Sequence, residues 1–370
     1  MALARFSQRS ERPLASCAGG GTPAGKKSSA PKHSVASFRG ASIEDEDADS
    51  RRVRVAVRVR PKIDEDISEK CEFVDCLELQ PELKRLKLIK NNWIYESYKF
   101  DEVFTESASQ KRVYEAVAKP VVESVLNGYN GTIMAYGQTG TGKTYTIGQL
   151  GKDNSSERGI MVRALEDVLA EASPGFEAVL VSYLQVYLES IQDLLAPEKN
   201  NISIIEDTKS GEVCFPGATV VDIRDIDKFL EVLQIGDSNR FAANTNMNTR
   251  SSRSHAILVV QIQRCLKGND EKDFAFVGEE SLQNVPALSK SKLLIIDLAG
   301  SERIDKSGVD GHMLEEAKFI NLSLTSLGKC INALAENCAH VPTRDSKLTR
   351  LLSDCFGGFA FIAVCYPFDV

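Results

Sequence analysis

The segment from residue 137 to residue 144 has the composition and spacing of a loop that binds the phosphate groups of a nucleotide. It matches GxxxxGKS/T at every fixed position, and its members are Gly137, Gln138, Thr139, Gly140, Thr141, Gly142, Lys143 and Thr144. Glycines let such a backbone turn tightly, so that its N–H groups point inward toward an anion. We expect Lys143 to contact the terminal phosphates and the Thr144 hydroxyl to ligate Mg²⁺.

The sequence around this loop fits such a site. Residues 132–136 are apolar and predict a strand before the loop, and the residues after Thr144 are compatible with a helix. The first turn of a helix carries about half a positive charge, which favours a bound anion. For the loop taken alone, the alternative is a Gly- and Thr-rich turn that binds nothing.

Two more segments carry groups suited to sensing a terminal phosphate. Residues 293–302 begin as an apolar run that ends in Asp297 and continue to Gly300. We expect Asp297 at the carboxyl end of a buried strand, near the Mg²⁺, and the Gly300 N–H on the γ-phosphate. Residues 248–255 place several hydroxyl groups and a cation in one loop. Each segment also has an ordinary alternative, since many strands end in Asp and many strands follow a polar turn.

The elements that must position these groups alternate between strands and helices. Periodicity predicts strands at residues 53–59, 131–136, 178–187, 255–264 and 292–297. It predicts helices at residues 110–126, 159–172, 313–336 and 346–356, the last capped by Asp345 or Ser346. This alternation is typical of a three-layer α/β/α fold with a largely parallel central sheet. The first strand alternates apolar and basic residues, which predicts that it is half-buried.

Composition excludes several classes of protein. The 370 residues are 42% hydrophobic, as in globular proteins, and the longest apolar run, residues 359–366, is far shorter than the ~20 residues of a membrane span. The nine cysteines form no CxxC pair, which argues against a zinc site. The net charge of −7 argues against general affinity for nucleic acid.

The first 50 residues differ in composition from the rest of the chain. Residues 1–40 are rich in Ser, Gly and Pro and carry seven basic side chains against one acidic side chain, and an acidic run follows at residues 44–49. Too little apolar surface is available there to offset chain entropy, so we expect residues 1–50 to be a disordered tail and residues 51–370 to be the folded domain. An organellar transit peptide is the alternative, although Glu11 and the Gly/Pro-rich stretch interrupt any amphipathic helix.

Taken together, the motifs resemble those of kinesin motor domains, over about residues 53–358. The matching blocks are VRVRP at 57–61, YKFDEVF at 98–104, AYGQTGTGKT at 135–144, SSRSH at 251–255, DLAGSE at 297–302, NLSL at 321–324 and PTRDSKLTR at 342–350. Residues 80–88 and 311–318 are most similar to the plant kinesins that carry armadillo repeats. The resemblance implies a P-loop NTPase fold.

The resemblance also implies roles for individual residues. Arg58 and Pro61 match positions that line the adenine, and Tyr145 matches the position that stacks on the ring. Ser251 and Ser252 match the first switch, whose hydroxyls contact the γ-phosphate, the Mg²⁺ and the attacking water. Arg253 and Glu302 match an ion pair that closes the site before hydrolysis.

The function implied is that of a microtubule motor that hydrolyses Mg-ATP, in the cytoplasm and on the microtubule cytoskeleton. The chain has no NKxD segment, which favours ATP over GTP. One alternative is a module that binds nucleotide and microtubules but has little or no motor activity. A second is a generic P-loop GTPase or kinase.

The helix predicted at residues 346–356 and the residues just before it carry the cations that the resemblance implies dock on the acidic microtubule. These are Arg344, Lys347 and Arg350, with Lys306 and Lys329 as weaker candidates. Without the resemblance, a solvated helix face would explain them equally well. No segment for dimerisation is recognisable, and neither a nucleic-acid partner nor a membrane span is expected.

The last residues depart from the family's pattern. Residues 359–365 fit a strand, but the packing helix and neck linker that follow in kinesins are missing from the sequence. Losing a core-facing helix removes on the order of 10 kcal/mol of burial, which rivals the whole stability of a domain. We therefore expect the folded domain to have low stability. We interpret the sequence as a fragment, a splice variant or a truncated gene model.

Overall fold

The computed structural model describes residues 53–61, 77–90, 94–172, 177–242, 252–265, 288–302, 311–356 and 361–368. Within these residues the chain forms a nine-stranded central sheet with helices on both faces, and two smaller sheets. The tail predicted for residues 1–50 lies outside the described residues, as do Ser251 and Lys306.

The strands vary from two to eleven residues in length. They are β1 (Arg54–Val59), β2 (Leu77–Gln80), β3 (Arg85–Lys90), β4 (Ile94–Lys99), β5 (Glu102–Phe104), β6 (Gly131–Ala135), β7 (Glu177–Tyr187), β8 (Ser190–Asp193), β9 (Ile205–Glu206), β10 (Val213–Cys214), β11 (Val221–Asp222), β12 (His255–Cys265), β13 (Leu288–Asp297) and β14 (Phe361–Phe368).

The helices are α1 (Gln110–Val113), α2 (Lys119–Leu126), α3 (Lys143–Gly148), α4 (Ile160–Glu171), α5 (Ile226–Ala242), α6 (Gly311–Ala335) and α7 (Lys347–Leu351). A π-helical turn, Tyr114–Ala118, joins α1 to α2, so that together they cover the helix predicted at residues 110–126. Short 3-10 turns lie at Pro81–Leu83, Ser155–Glu157, Thr343–Asp345 and Ser353–Cys355.

The central sheet is mixed. Its strand order is β11-β7-β12-β13-β6-β14-β1-β5, and β8 pairs with β7 outside this path. The strands from β13 to β5 run parallel, whereas β11, β7, β8, β12 and β13 pair antiparallel. The expectation of a largely parallel sheet therefore holds for one half only. Since β7 and β8, and likewise β12 and β13, are consecutive strands, they pair without a helical crossover.

Side chains of one strand alternate between two hydrophobic cores on opposite faces of the sheet. In β6, Ile133 packs in the core formed with α1 to α5, and Met134 packs in the core formed with α6 and α7. In β13, Ile295 and Ile296 divide in the same way. Successive strand residues point to opposite faces, so this division confirms the three-layer α/β/α fold.

The first strand is more buried than its alternating sequence predicts. β1 lies between β14 and β5, and its last four residues are all buried. Arg58 is only 9% exposed, because its guanidinium donates to Gln110 Oε1 at 2.7 Å and to Thr146 Oγ1 at 2.9 Å. A buried cation with these partners takes the place of a solvent-facing residue, so the prediction of a half-buried strand is wrong.

The two helices predicted after residue 310 are present. α6 follows the predicted span within two residues at either end, and α7 begins after Ser346. The Ser346 hydroxyl accepts a hydrogen bond from the Thr349 N–H, and the Thr349 hydroxyl accepts one from the Ser346 N–H, so the two form a capping box. α7 ends at Leu351, earlier than predicted, and the chain continues as a 3-10 turn. In the described part of the chain, no helix has both the length and the apolar character of a membrane span.

Candidate nucleotide-binding site

The sheet brings two of the predicted segments to one edge. β6 and β13 are parallel neighbours, and Ala135 of β6 is paired with Asp297 of β13. The loop that follows β6 therefore begins beside Asp297. The Ser301 N–H donates to the Gly137 carbonyl at 3.0 Å, which holds the segment after β13 against the start of the loop.

The loop between β6 and α3 depends on two glycines with positive φ angles. Gly140 has φ +86° and Gly142 has φ +91°, and a Cβ at either position would meet no atom within 4 Å. Glycine is thus favoured here by backbone conformation rather than by space, because the left-handed region is strained for other residues. α3 begins directly after Gly142, at Lys143.

The Lys143 side chain lies inside the loop. Its ammonium is buried and donates to the Gly137 carbonyl at 2.9 Å and to the Gln138 carbonyl at 2.6 Å. Burial lowers the pKa of Lys143, and the nearby carboxylates of Asp297 and Glu302 oppose that shift. To bind a phosphate, this cation must exchange its two carbonyl partners for phosphate oxygens.

The predicted Mg²⁺ ligands of the loop and of β13 are in contact. The Thr144 hydroxyl donates to Asp297 Oδ2 at 2.7 Å. Asp297 Oδ1 is buried and has no hydrogen-bond partner among the described residues. A hydroxyl and a carboxylate with an uncommitted oxygen are the hard oxygen donors that Mg²⁺ prefers, so these residues fit the ion.

Arg240 was not predicted from the sequence, yet it is the charged partner of Asp297. Its guanidinium donates to Asp297 Oδ2 at 2.7 Å, and both side chains are almost fully buried. Arg240 is on α5, seven residues after the buried Leu233 and eleven after the buried Phe229. This spacing places a cation on the buried face of a helix, and it is the sequence signal that could have identified Arg240.

The predicted ion pair between Arg253 and Glu302 is replaced by other contacts. Arg253 forms an ion pair with Glu316 on α6. Glu302 instead accepts hydrogen bonds from the Thr139 N–H at 2.9 Å and from the Thr139 hydroxyl at 2.6 Å. Burial would raise the pKa of Glu302, but the bonds from Thr139, a bond from its own backbone and the charge of Lys143 together lower it. The two switch residues thus point to different elements, one to α6 and one to the phosphate loop.

Gly300 and Ser252 are in direct contact through the backbone. The Gly300 N–H, predicted to bond a γ-phosphate, donates to the Ser252 carbonyl at 2.8 Å. A Cβ at Gly300 would lie within 2.5 Å of side-chain atoms of Thr139 and Glu302. Gly300 therefore permits the close approach of the phosphate loop and the segment after β13.

Arg58, one of the residues predicted to line the adenine, contacts the start of α3, directly after the loop. The Arg58 guanidinium stacks over the Tyr145 ring, 5.3 Å from its centroid, and the ring is 43% exposed. Pro61 is exposed after the end of β1. Gln110, which the sequence did not single out, donates to the Tyr145 carbonyl at 2.7 Å and accepts from Arg58.

The three cations predicted to dock on microtubules differ in exposure. Arg344 is exposed in a 3-10 turn, whereas Lys347 and Arg350 of α7 are half-buried. The Arg350 guanidinium donates to the Ile204 carbonyl at 3.3 Å. Lys329 of α6 forms an exposed ion pair with Asp345 at 3.1 Å.

A family model, curated relatives and a solved structure all match this chain to kinesins. The family model of the kinesin motor domain matches residues 58–367. The chain is 69% identical to the kinesin-like protein KIN-UC of Arabidopsis thaliana over 81% of its own length, and 66% identical to KIN-UA of Oryza sativa subsp. japonica over 82%. It spans only 28% and 32% of those two proteins. The solved structure of a fast kinesin is similar at a TM-score of 0.72 and 34% identity, covering 86% of each chain.

Proposed function

We propose that this chain, which belongs to the family of kinesin motor domains, hydrolyses Mg-ATP in a cycle coupled to movement along microtubules. The observation that carries the proposal is the meeting of the phosphate loop and the segment from β13 to Glu302 at one edge of the sheet, with Ser252 joined to them through the Gly300 N–H. In the phosphate loop, Thr144 donates to Asp297 at the end of β13, and Thr139 donates to Glu302 beyond it. The Lys143 ammonium interacts electrostatically with both carboxylates. Phosphoryl transfer depends mainly on positioning and electrostatics, which such a cluster supplies.

Each group of the cluster has a task in this proposal. Lys143 leaves the Gly137 and Gln138 carbonyls and neutralises the terminal phosphates. Thr144 and Asp297 hold Mg²⁺, which supplies positive charge to the phosphate oxygens when it is bound. Arg240 holds the Asp297 carboxylate in place from the side of α5.

Closure of the site requires two exchanges of partner. Glu302 must leave Thr139, and Arg253 must leave Glu316, before the two can pair with each other. In the closed arrangement, Ser251 and Ser252 are proposed to contact the γ-phosphate, the metal and the attacking water. Opening of the pair then releases phosphate.

The adenine base and the microtubule are proposed to bind at separate surfaces of the protein. Tyr145, held against Arg58, presents an exposed ring on which adenine can stack. Arg344, with Lys347 and Arg350, is proposed to contact the acidic microtubule surface. We accordingly propose that the protein acts on the microtubule cytoskeleton in the cytoplasm.

The proposal is tested by the ATPase rate of the full chain with and without polymerised tubulin. We expect a low rate alone and stimulation of at least tenfold at saturating microtubules. An excess of unlabelled ATP should compete with a fluorescent ATP analogue far better than GTP does. A flat response to microtubules, with cosedimentation intact, would refute motor activity and favour a binding module.

A further inference from the structure

The His255 ring connects the segment after β13 to the long helix α6. His255 is the first residue of β12 and is 3% exposed. Its Nδ1 accepts a hydrogen bond from the Ala299 N–H at 3.0 Å, and its Nε2 lies 2.8 Å from the Ser323 hydroxyl of α6. One rigid ring therefore contacts both Ala299, the residue before Gly300, and the helix α6.

The partners of the ring fix its protonation. The Ser323 hydroxyl donates its proton to the Ile320 carbonyl at 2.9 Å, so it accepts from His255 Nε2–H. Since Nδ1 accepts from a backbone N–H, the ring is neutral. Burial lowers the pKa of His255 to about 3; the charges of Arg240 and Lys143 add to this shift, and Asp297 opposes it. The ring thus keeps one state, and both of its hydrogen bonds, throughout the neutral range.

The residues next to Ala299 are bonded to the groups proposed to sense the nucleotide. Gly300, next to Ala299, bonds the Ser252 carbonyl, and Glu302 bonds the phosphate loop through Thr139. A change at the phosphates that displaces these bonds displaces the Ala299 N–H as well. In a buried, low-dielectric site a lost hydrogen bond leaves an unpaired polar group, and this cost favours a coupled movement of the ring and Ser323 over the loss of either bond.

We propose that His255 is a positioning residue that transmits displacements of residues 299–302 to α6 through Ser323. This inference rests on the proposed function, because it assumes that nucleotide binding moves those residues. It is separate from the ion pair between Arg253 and Glu316, which contacts α6 at another position.

Ser323→Ala tests the inference, with Ser326→Ala as the matched control. Both serines are buried on α6, and His255 bonds the first. The primary measurement is hydrogen exchange of the α6 amides with ADP and with a non-hydrolysable ATP analogue. We expect the difference between the two nucleotides to fall at least threefold in Ser323→Ala and to persist in Ser326→Ala. An undiminished difference in Ser323→Ala, or no difference in the unmodified chain, would overturn the inference.

His255→Asn supplies a second, independent test. Asn offers an oxygen near the position of Nδ1 but is too short to reach Ser323, so this variant should lose the same nucleotide-dependent difference. The double variant should lose no more than either single variant, whereas additive losses would contradict a common path.

The ATPase assay separates this inference from the proposed function. Stimulation of the unmodified chain and of Ser326→Ala by microtubules tests the motor function alone. A several-fold loss of stimulation restricted to Ser323→Ala and His255→Asn, with ATP affinity within twofold of the unmodified chain, supports the transmission path. Equal stimulation of all variants would contradict it while leaving the motor function intact.

Discussion

At the scale of single residues, Lys143 combines a structural contact with the proposed binding role. Its ammonium is held by two carbonyls of the loop that it would leave to bind phosphate. Phosphate oxygens carry negative charge whereas these carbonyl oxygens are neutral, so the Coulomb attraction of the ammonium to phosphate is the stronger one. The Lys143 side chain is therefore positioned to exchange its two carbonyl partners for the phosphate oxygens of a nucleotide.

Replacing Lys143 by Ala should lower the affinity for ATP by roughly 10- to 100-fold, since hydrogen bonds to charged groups contribute about 1.5–3 kcal/mol. A titration with a fluorescent ATP analogue measures the effect. Lys152→Ala is the control, because Lys152 is exposed nine residues further along the chain. Equal affinities for the two variants would contradict the assignment of Lys143.

Glu302→Ala should leave ATP binding measurable but slow microtubule-stimulated hydrolysis at least tenfold. The variant keeps Lys143 and Thr144, whereas it loses the carboxylate proposed to pair with Arg253 when the site closes. Single-turnover kinetics separates binding from hydrolysis, and the exposed Glu198→Ala provides the control. Unchanged turnover would count against closure through this residue.

At the scale of elements, a buried ion pair holds the start of β13 to the chain after α7. The Lys292 ammonium donates to Asp354 Oδ2 at 2.6 Å and to the Val213 carbonyl of β10 at 2.7 Å. Both charged side chains are 5% exposed. Removing one member leaves the other charge buried without its counterion.

Lys292→Met should therefore lower the free energy of unfolding by about 3–5 kcal/mol, as expected when one partner of a buried pair is lost. Urea denaturation measures this change. Lys290→Met, on the same strand but exposed, should stay within about 0.5 kcal/mol of the unmodified chain. Similar losses for both variants would show that the pair itself is not responsible.

Burial of His255 between β12, β13 and α6 makes stability depend on pH. The unfolded chain protonates this imidazole below pH 6.5, whereas the folded chain resists protonation down to a pKa of about 3. Because the unfolded state binds more protons in this window, the contribution of His255 to stability falls as the pH is lowered from 6.5 toward 3.

The stability advantage of the unmodified chain over His255→Asn should accordingly be smaller at pH 5 than at pH 7. Urea unfolding at the two pH values gives the comparison, with the exposed His340→Asn as the control. An advantage that is constant or larger at pH 5 would mean that the ring is not held neutral.

At the scale of the whole molecule, the proposed microtubule contact must work against a net charge of −7. The microtubule is acidic, so its attraction for the protein depends on local cations rather than on the overall charge. Salt screens this electrostatic attraction within about 10 Å at 0.1 M. Arg344 is the exposed member of the three cations proposed for this surface. Arg350 already bonds the Ile204 carbonyl.

Arg344→Ala should weaken microtubule binding about two- to fivefold at low salt, in line with the modest value of exposed charge pairs. The difference from the unmodified chain should shrink as salt is raised. Cosedimentation over a range of KCl concentrations measures both effects, and the exposed Arg224→Ala is the control. An equal loss in Arg224→Ala would point to overall charge rather than to this surface.

The sequence alone determined the features that depend on neighbouring residues. The glycines with positive φ in the phosphate loop, the start of α7 at Asp345 or Ser346 and the span of α6 all follow from spacing within a few residues, and the structure selects Ser346 as the cap. The carboxyl-end position of Asp297 followed from the apolar run before it. Local sterics and hydrogen bonds specify such features, so their signal is present in a short window.

Only the tertiary structure decided which distant groups meet. Arg240 reaches Asp297 across 57 positions, and Arg253 pairs with Glu316 across 63 positions although Glu302 carries the same charge. The tertiary structure alone also decided the antiparallel half of the sheet and the burial of Arg58. A sequence offers several chemically equivalent partners for each charge, and the packing of sheet and helices selects among them by distance.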